Sequence, residues 1–241
     1  MRYGIFVIIL LFAFFLTCSE STQPEYNLND DQFDFILYDG LTTSQVINVK
    51  NALENNYIRI TRDLKVKNMP KVTVKIWSDY NNFMKAMEDD IGIRYLGATG
   101  YVYGMHELRI FYNGQVAVAA VHEFAHLVSI RVNSSIANNP RWLWEAVALY
   151  ENNEFFDPRT LSYMVNGDYP TLEELNVDYN SGNNYIYSVG YLLIEYVANT
   201  WGMDNVIGLI ENNGNIPGLL GITIQEFEYG WYEFVKQRYI H

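Results

Sequence analysis

Residues 116–132, VAVAAVHEFAHLVSIRV, form a long apolar run that is interrupted by two histidines and a glutamate. The pattern predicts one helix over this run, in which His122 and His126, four residues apart, project from one face, one turn apart. Two imidazoles so placed can bind one metal ion, and zinc takes nitrogen ligands at about 2.0 Å. Glu123 is placed to take a proton from a water molecule held there. The competing interpretation is a core helix whose histidines bond to carbonyl groups.

A second apolar helix is predicted from Pro140 to Asn152, and it contains an isolated acid, Glu145, in RWLWEAVALYE. Burying a carboxylate among large apolar side chains is costly unless it meets a proton, a cation or a metal. Catalytic zinc sites usually take three protein ligands and leave a fourth position for water. Glu145 is therefore the third candidate ligand. Its presence favours a metal site over a core helix whose histidines bond to carbonyl groups.

The chain resembles the gluzincin metallopeptidases, specifically the peptidase MA-like domains related to aminopeptidase N. The resemblance lies in HEFAH, in the spacer of residues 127–144 and in the helix sequence RWLWEAVALYE. That family has HExxH, an eighteen-residue spacer and a glutamate in a W-x-x-E-G-x-A-x-Y-like helix. Ala146 stands where the family usually has glycine. The resemblance implies a zincin fold, a zinc ion bound by His122, His126 and Glu145, and Glu123 as general base.

The resemblance extends to YIYSVGYLLIEYVANTWGMDNVIGLIEN, residues 185–212. There Tyr187 occupies the place of the family tyrosine that donates a hydrogen bond to the tetrahedral intermediate, although a packing role is equally open in a chain with 20 tyrosines. By the same analogy, the GATGYVYG strand forms an edge along which a peptide substrate adds as another strand. The family's G-x-M-E-N loop, which captures a free amino terminus, has no counterpart in GATGYVYGMHELRIFYN, so we expect an endopeptidase.

The chain begins with one early positive charge, Arg2, and an apolar run from Gly4 to Leu16, followed by small polar residues. This pattern predicts a secretory signal peptide over residues 1–18, because the run is short against the roughly 20 residues of a membrane-spanning helix. An uncleaved anchor is the alternative. Cys18 in FLTCS resembles a relaxed bacterial lipoprotein signal, which would make it the lipidated first residue of an exported, membrane-attached protein. A cysteine discarded with the signal peptide is the equal alternative.

The composition of the chain limits the classes of partner that it can bind. A formal net charge of -12, without any run of lysine or arginine, argues against a nucleic-acid ligand. The sequence offers no disulfide pair, because Cys18 is its only cysteine.

After a polar linker, residues 19–31, we predict one α+β domain over 32–241, with a mixed small sheet in the N-terminal half and a helical C-terminal half. QFDFILYDG, KVTVKIW and two short strands around a turn at Gly104–Glu107 are the predicted strands. The predicted helices are residues 43–64, a helix capped by Ser78 or Asp79, and Val116–Val132, Pro140–Asn152, Asn184–Thr200, Met203–Asn212 and Thr223–Tyr239.

Two functional alternatives remain open beside the endopeptidase. One is a non-catalytic zincin-fold protein that binds a partner at the cell surface, and the other is a zinc aminopeptidase. His106, in a predicted turn, is expected to be solvated and not a fourth ligand, and His241 is the terminal residue outside the motif. Trp142, Trp144 and Trp201 are expected in the core.

Overall fold

A computed structural model of the chain describes residues 28–177, 179–181 and 184–241. Its four strands are β1 (Phe33–Leu37), β2 (Val72–Trp77), β3 (Gly100–Tyr103) and β4 (Glu107–Phe111). They form one mixed sheet in the order β1-β2-β4-β3. The first three in that order are parallel, and β3 is antiparallel to β4 and lies at the edge. β3 therefore leaves one row of backbone groups unpaired within the sheet.

Helices make up most of the rest of the described chain. They are α1 (Thr43–Asp63), α2 (Tyr80–Ile91), α3 (Val116–Val132), α4 (Arg141–Glu151), α5 (Ser162–Asn166), α6 (Leu172–Leu175), α7 (Ile186–Trp201), α8 (Met203–Glu211), α9 (Ile216–Leu220) and α10 (Ile224–Val235). Short 3-10 turns occupy Pro158–Thr160 and Tyr179–Ser181, and a π-helical turn, Lys236–Ile240, continues α10.

The sheet is covered on both faces, as the alternation along β2 requires. Val72, Val74 and Ile76 point to one face and join a core cluster with buried residues of α1 and α3. Trp77, one residue on, points to the other face and packs with Phe83 of α2. Successive side chains of a strand alternate between faces, so a single strand serves both layers. α3 is thereby held directly beneath the sheet.

The helical half is built around the contact between α4 and α7. Gly190 of α7 lies so close to α4 that a methyl group added there would come within 2.6 Å of the Leu149 side chain and 3.0 Å of the Ala146 Cα atom. α10 closes the far side of this half with two fully buried aromatic residues, Phe227 and Trp231. α4 is therefore held between two helices, because α7 packs on one side of it and α3 packs on another.

The coarse fold prediction is confirmed: the domain is α+β, with a small mixed sheet and mostly helical content. The Asp79 cap is also as predicted, since its side chain accepts a hydrogen bond from the Asn82 backbone N–H at 2.9 Å. Pro140 is the residue before α4 and not its first residue. α5, α6 and α9 had no counterpart in the prediction, and the predicted C-terminal helix changes to π-helical geometry at Lys236.

The predicted signal peptide, Cys18 and residues 19–27 of the predicted linker lie outside the described residues. The last linker residues pack on the domain: Leu28 is buried, and Asp30 forms an ion pair with Lys50 of α1 at 2.5 Å. Over the described ranges, no helix combines the length and apolarity needed to cross a membrane.

Candidate metal centre and cleft

Two consecutive helices carry the predicted ligands. α3 is buried over most of its length and packs on α1, on α4 and on strands β3 and β4. α4 is buried on nearly all sides. His122, His126 and Glu145 each present a ligand atom at the contact of these helices, and all three atoms lie within 4.8 Å of one another. The helical spacing of the histidines and the packing of α4 on α3 together produce this convergence.

The distances between the donor atoms suit a small tetrahedral ion. His122 Nε2 lies 3.3 Å from Glu145 Oε2, and His126 Nε2 lies 3.6 Å from the same oxygen. Nitrogen and oxygen ligands on zinc bonds of about 2.0 to 2.1 Å, separated by the tetrahedral angle, stand about 3.3 Å apart. Two imidazole nitrogens and one carboxylate oxygen are also the donor types that zinc accepts. The residues present therefore fit such an ion.

A second carboxylate orients the first histidine. Glu154, in the loop after α4, lies with its Oε1 atom 2.8 Å from His122 Nδ1. The Asn152 amide donates to the same Glu154 oxygen at 2.8 Å and to the Val118 carbonyl of α3 at 2.9 Å. A carboxylate on the outer ring nitrogen fixes the tautomer and leaves Nε2 free for a metal.

The second histidine is held differently. The His126 ring stacks on the Trp144 indole, with centroids 3.9 Å apart and planes 7° from parallel. Its Nδ1 atom is buried and has no hydrogen-bond partner among the described residues. Packing therefore orients this ring, whereas hydrogen bonding orients the ring of His122.

Burial and the three nearby carboxylates set the protonation of the metal-free cluster. Burial opposes charge on His122, but hydrogen bonds to Glu145 and Glu154 outweigh it and raise the pKa of that imidazole. Burial lowers the pKa of His126 to about 4, so this ring is neutral at pH 7. The Glu145 pKa is held below its ordinary value, because its contacts with the two histidines, a hydrogen bond with His122 and an approach to 3.6 Å of His126, outweigh its burial. A proton on His122 thus supplies the positive charge in the cluster, and a metal ion must displace it.

Glu123 lies beside this cluster and against the edge strand. The residue is 8% exposed, and burial raises the pKa of its carboxyl group to about 8. The backbone of β3 approaches it so closely that a Cβ atom on Gly100 would stand 2.7 Å from the Glu123 Cγ atom. A carboxyl group with a pKa near neutrality can take up and release a proton at physiological pH.

A cleft of about 800 Å³ opens onto these residues. The edge strand β3 and the segment before it form one wall, and the start of α7 with the segment before it forms the other. The residues that line the cleft include Gly100, Arg141, Trp144, Tyr179 and Tyr187. The cluster therefore meets solvent through a cavity large enough for several amino-acid side chains.

Tyr187, in the first turn of α7, lines the same cleft. Burial raises the pKa of its hydroxyl, and the negative charge of Glu145 raises it further, so the phenol keeps its proton. The Arg141 guanidinium lies over the Tyr187 ring, 5.5 Å from its centroid. A protonated phenol facing the cleft can donate a hydrogen bond to an oxygen atom bound there.

His106, His241 and Trp142 lie apart from the cluster, whereas Trp144 stacks on His126. His106 is exposed in the turn between β3 and β4, and His241 is exposed at the C-terminus. Trp142 packs against Phe227 in the core. Trp144 is buried as expected, but it also lines the cleft.

Sequence reasoning missed Glu154 and Arg141. Glu154 follows the end of a helix and is related to His122 only by the tertiary fold, so no local pattern could have identified it. Arg141 precedes Glu145 by four residues, and this spacing placed both on one face of α4.

Comparison of the chain with models of known protein families, with curated proteins and with solved structures finds no match.

Proposed function

We propose that the chain is a zinc metallopeptidase with a zincin fold that hydrolyses internal peptide bonds. The observation that carries the proposal is the convergence of His122, His126 and Glu145, at distances that suit tetrahedral zinc, with Glu123 beside them in an open cleft. A purely structural zinc site is closed by four protein ligands, and a catalytic site usually keeps three. The three converging donors favour the catalytic kind.

Bound zinc supplies Lewis-acid polarisation of a carbonyl group and lowers the pKa of a water molecule. Glu123 takes the proton from the water that attacks the scissile carbonyl and then passes it to the leaving amine. A carboxyl group beside the water molecule can serve as base in the first step and as acid in the second. Glu154 keeps the His122 ring oriented throughout.

Tyr187 stabilises the oxyanion that forms on the scissile carbonyl by donating a hydrogen bond to it. Such a donor acts on charge that develops only in the transition state. The unpaired edge of β3 receives the substrate as an added strand, which brings the peptide past Glu123 at Gly100.

The N-terminal pattern leads to a second proposal, namely that the protein is exported and attached to a bacterial membrane through a lipid on Cys18. Its basis is sequence alone. Mass spectrometry of the protein made in a bacterial host tests it: an acylated N-terminal cysteine is expected, and a mature chain that begins after Cys18 would refute the attachment.

Metal analysis of the purified protein tests the centre. About one zinc ion per chain is expected, and it should be lost in His122→Ala and Glu145→Ala but kept in His106→Ala, whose exposed histidine serves as the control. Full retention in the first two variants would refute the site.

Digestion of a peptide library tests the reaction. Cleavage that a chelator abolishes is expected in the wild type, and Glu123→Gln should keep zinc while losing the cleavage. Absence of any cleavage by the zinc-loaded wild type would favour a binding protein. Cleavage that disappears when the substrate amino terminus is blocked would identify an aminopeptidase.

A further inference from the structure

Arg141 is the one lysine or arginine among the described residues that line the cleft, and the proposed reaction assigns it no role. It is the first residue of α4 and lies one helical turn before Glu145. The whole residue is only 4% exposed. Burying a cation is costly unless other groups replace its hydration, so the groups around Arg141 indicate how its charge is used.

Arg109, the other arginine that is buried in the described part of the chain, has a kind of partner that Arg141 lacks. Its guanidinium group contacts the carboxylates of Asp90 and Glu107. Arg141 forms no ion pair with any residue that the structure describes. Buried charges in proteins are as a rule paired with an opposite charge. The cleft therefore contains a buried cation that no described carboxylate neutralises.

The three described carboxylates that line the cleft are engaged elsewhere. Glu145 and Glu154 both contact the His122 ring, at 3.3 and 2.8 Å. Glu123 lies against the backbone of β3 at Gly100. Each of them would have to leave its place in the proposed site to pair with Arg141, so the anion that suits Arg141 is not one of them.

Neutral polar groups hold Arg141 in place. Its backbone N–H donates to Asn176 Oδ1 at 2.7 Å, and its Nη1 atom donates to the Val177 carbonyl at 3.0 Å. The Nη2 atom donates to Asn184 Oδ1 at 3.4 Å. Among the described residues, the side-chain bonds thus use two of the five N–H groups of the guanidinium. The group is fixed and keeps donors for a further oxygen ligand.

Two tyrosine rings complete the surroundings of this cation. The central carbon of the guanidinium group lies 5.5 Å from the ring centroid of Tyr187 and 5.8 Å from that of Tyr179. Aromatic rings attract a cation at such distances, but they carry no net charge. The rings therefore help to place the guanidinium group without neutralising it.

We propose that Arg141 binds a carboxylate of the peptide substrate, so that the cleft selects peptides with an acidic group close to the scissile bond. The proposal rests on the peptidase function above. The guanidinium group is planar, and its paired N–H groups match the two oxygen atoms of a carboxylate. A carboxylate bound there supplies the opposite charge that the described surroundings of Arg141 do not provide.

The position of Arg141 on α4 limits where this acidic group lies in the substrate. Four residues of helix separate Arg141 from Glu145, a rise of about 6 Å. An extended peptide covers that length in about two residues. The carboxylate therefore belongs to a residue within a few positions of the bond that is cleaved. Its source is either the side chain of an aspartate or glutamate, or the free C-terminus of a peptide that is cut near its end.

Binding measurements with the zinc-loaded full chain carrying Glu123→Gln test the proposal, because this variant should hold a peptide without cleaving it. One series of labelled peptides moves a single glutamate along an otherwise neutral sequence, and each peptide has a glutamine counterpart. A second series compares a free C-terminal carboxylate with its amide. In at least one series the charged peptide should bind about tenfold more tightly, as expected for hydrogen bonds to a charged group. That series identifies the source of the carboxylate.

Arg141→Met, added to the same chain, should abolish this difference in affinity. Arg131→Met is the matched control, because Arg131 also forms no ion pair with the described residues but is not among those that line the cleft. It should leave the difference unchanged. Arg141→Lys should keep only part of the difference, because an ammonium group has the charge but not the planar fork of N–H donors.

Equal affinities, or no binding, in both series would overturn the proposal, and so would a difference that survives in Arg141→Met. If the methionine variant does not fold, Arg141→Lys decides, since a difference as large as with arginine would refute recognition by the guanidinium group. Failure of the peptidase function would be evident separately, as absence of cleavage by the zinc-loaded wild type, because the affinities are measured without cleavage.

Discussion

Substituting Gly100 with alanine should displace the proposed general base without changing any residue of the metal site. The added Cβ atom would stand 2.7 Å from Cγ and 2.8 Å from Oε1 of Glu123, whereas ordinary contacts begin at 3.4 Å. An ordinary contact therefore requires the two groups to separate by 0.7 Å, the difference between 3.4 and 2.7 Å. Glu123 is nearly buried within α3, so the carboxylate has little room to move while keeping its place beside the cluster.

A misplacement of about 1 Å in a reacting group can lower the rate by about a hundredfold. We therefore expect Gly100→Ala to lower kcat by about ten- to a hundredfold. Zinc content should be unchanged, because the three nearest atoms to the added group all belong to Glu123 and not to a proposed ligand. Initial rates of peptide cleavage, together with metal analysis of the same samples, measure both quantities.

Gly114→Ala is the matched control, since a Cβ atom there meets nothing within 4 Å and the residue is close in sequence to the start of α3. It should retain wild-type kcat. An unchanged kcat in zinc-loaded Gly100→Ala would refute the reasoning, because it would show that Glu123 either moves freely or is not the base.

Three further predictions concern the support of the site. Glu154→Gln keeps a hydrogen-bond acceptor for His122 but loses the negative charge. Zinc affinity, measured by competition with a chelator, should therefore fall about tenfold, the smaller of the losses typical for groups that hydrogen-bond to a metal ligand. An unchanged affinity would contradict the orienting role of Glu154. Burial raises the pKa of Glu151 to about 7, so its contribution to stability is present below its ordinary pKa and lost as pH rises through 7. The free energy of unfolding of Glu151→Gln, measured with urea, should therefore rise relative to that of the wild type by up to about 3 kcal/mol between pH 4.5 and 8. A difference between the two proteins that does not change with pH would exclude the raised pKa of Glu151. Gly190→Ala should lower the free energy of unfolding by up to about 2 kcal/mol, because overpacking against Leu149 and Ala146 costs about 1 to 3 kcal/mol and the gain in helix propensity returns about 1 kcal/mol; a more stable variant would disprove the close helix contact.

Most secondary structure was predictable because its signals are local. Polar and β-branched residues alternate along β2 with a period of two. α3 is one apolar run that begins at Val116 and ends at Val132, as predicted. α6 carried a readable signal that was overlooked, namely the capping box of Thr171 and Glu174. The π-helical geometry after Val235 follows no local sequence pattern.

The candidate site divides in the same way. The positions of His122, His126 and Glu145 follow from helical spacing and from the cost of burying an isolated carboxylate. Glu154 and Gly100 act across the fold, on His122 and Glu123 respectively, so only the packing of β3 and α4 against α3 brings them into contact. Local patterns predict the donors, whereas tertiary packing determines what surrounds them.

The placement of the three donors on consecutive helices has a consequence for the order of folding. His122 and Glu145 are 23 positions apart, whereas the pairing of Phe33 with Val72 joins residues 39 positions apart. Contacts between segments that are close in the chain form sooner, because closing a shorter loop costs less entropy. We therefore expect α3 and α4 to meet before the sheet is complete, so that an ion can be captured by a partly folded chain. Pulsed hydrogen exchange during refolding would test this order. Protection of the β1 and β2 amides before those of α3 and α4 would refute it.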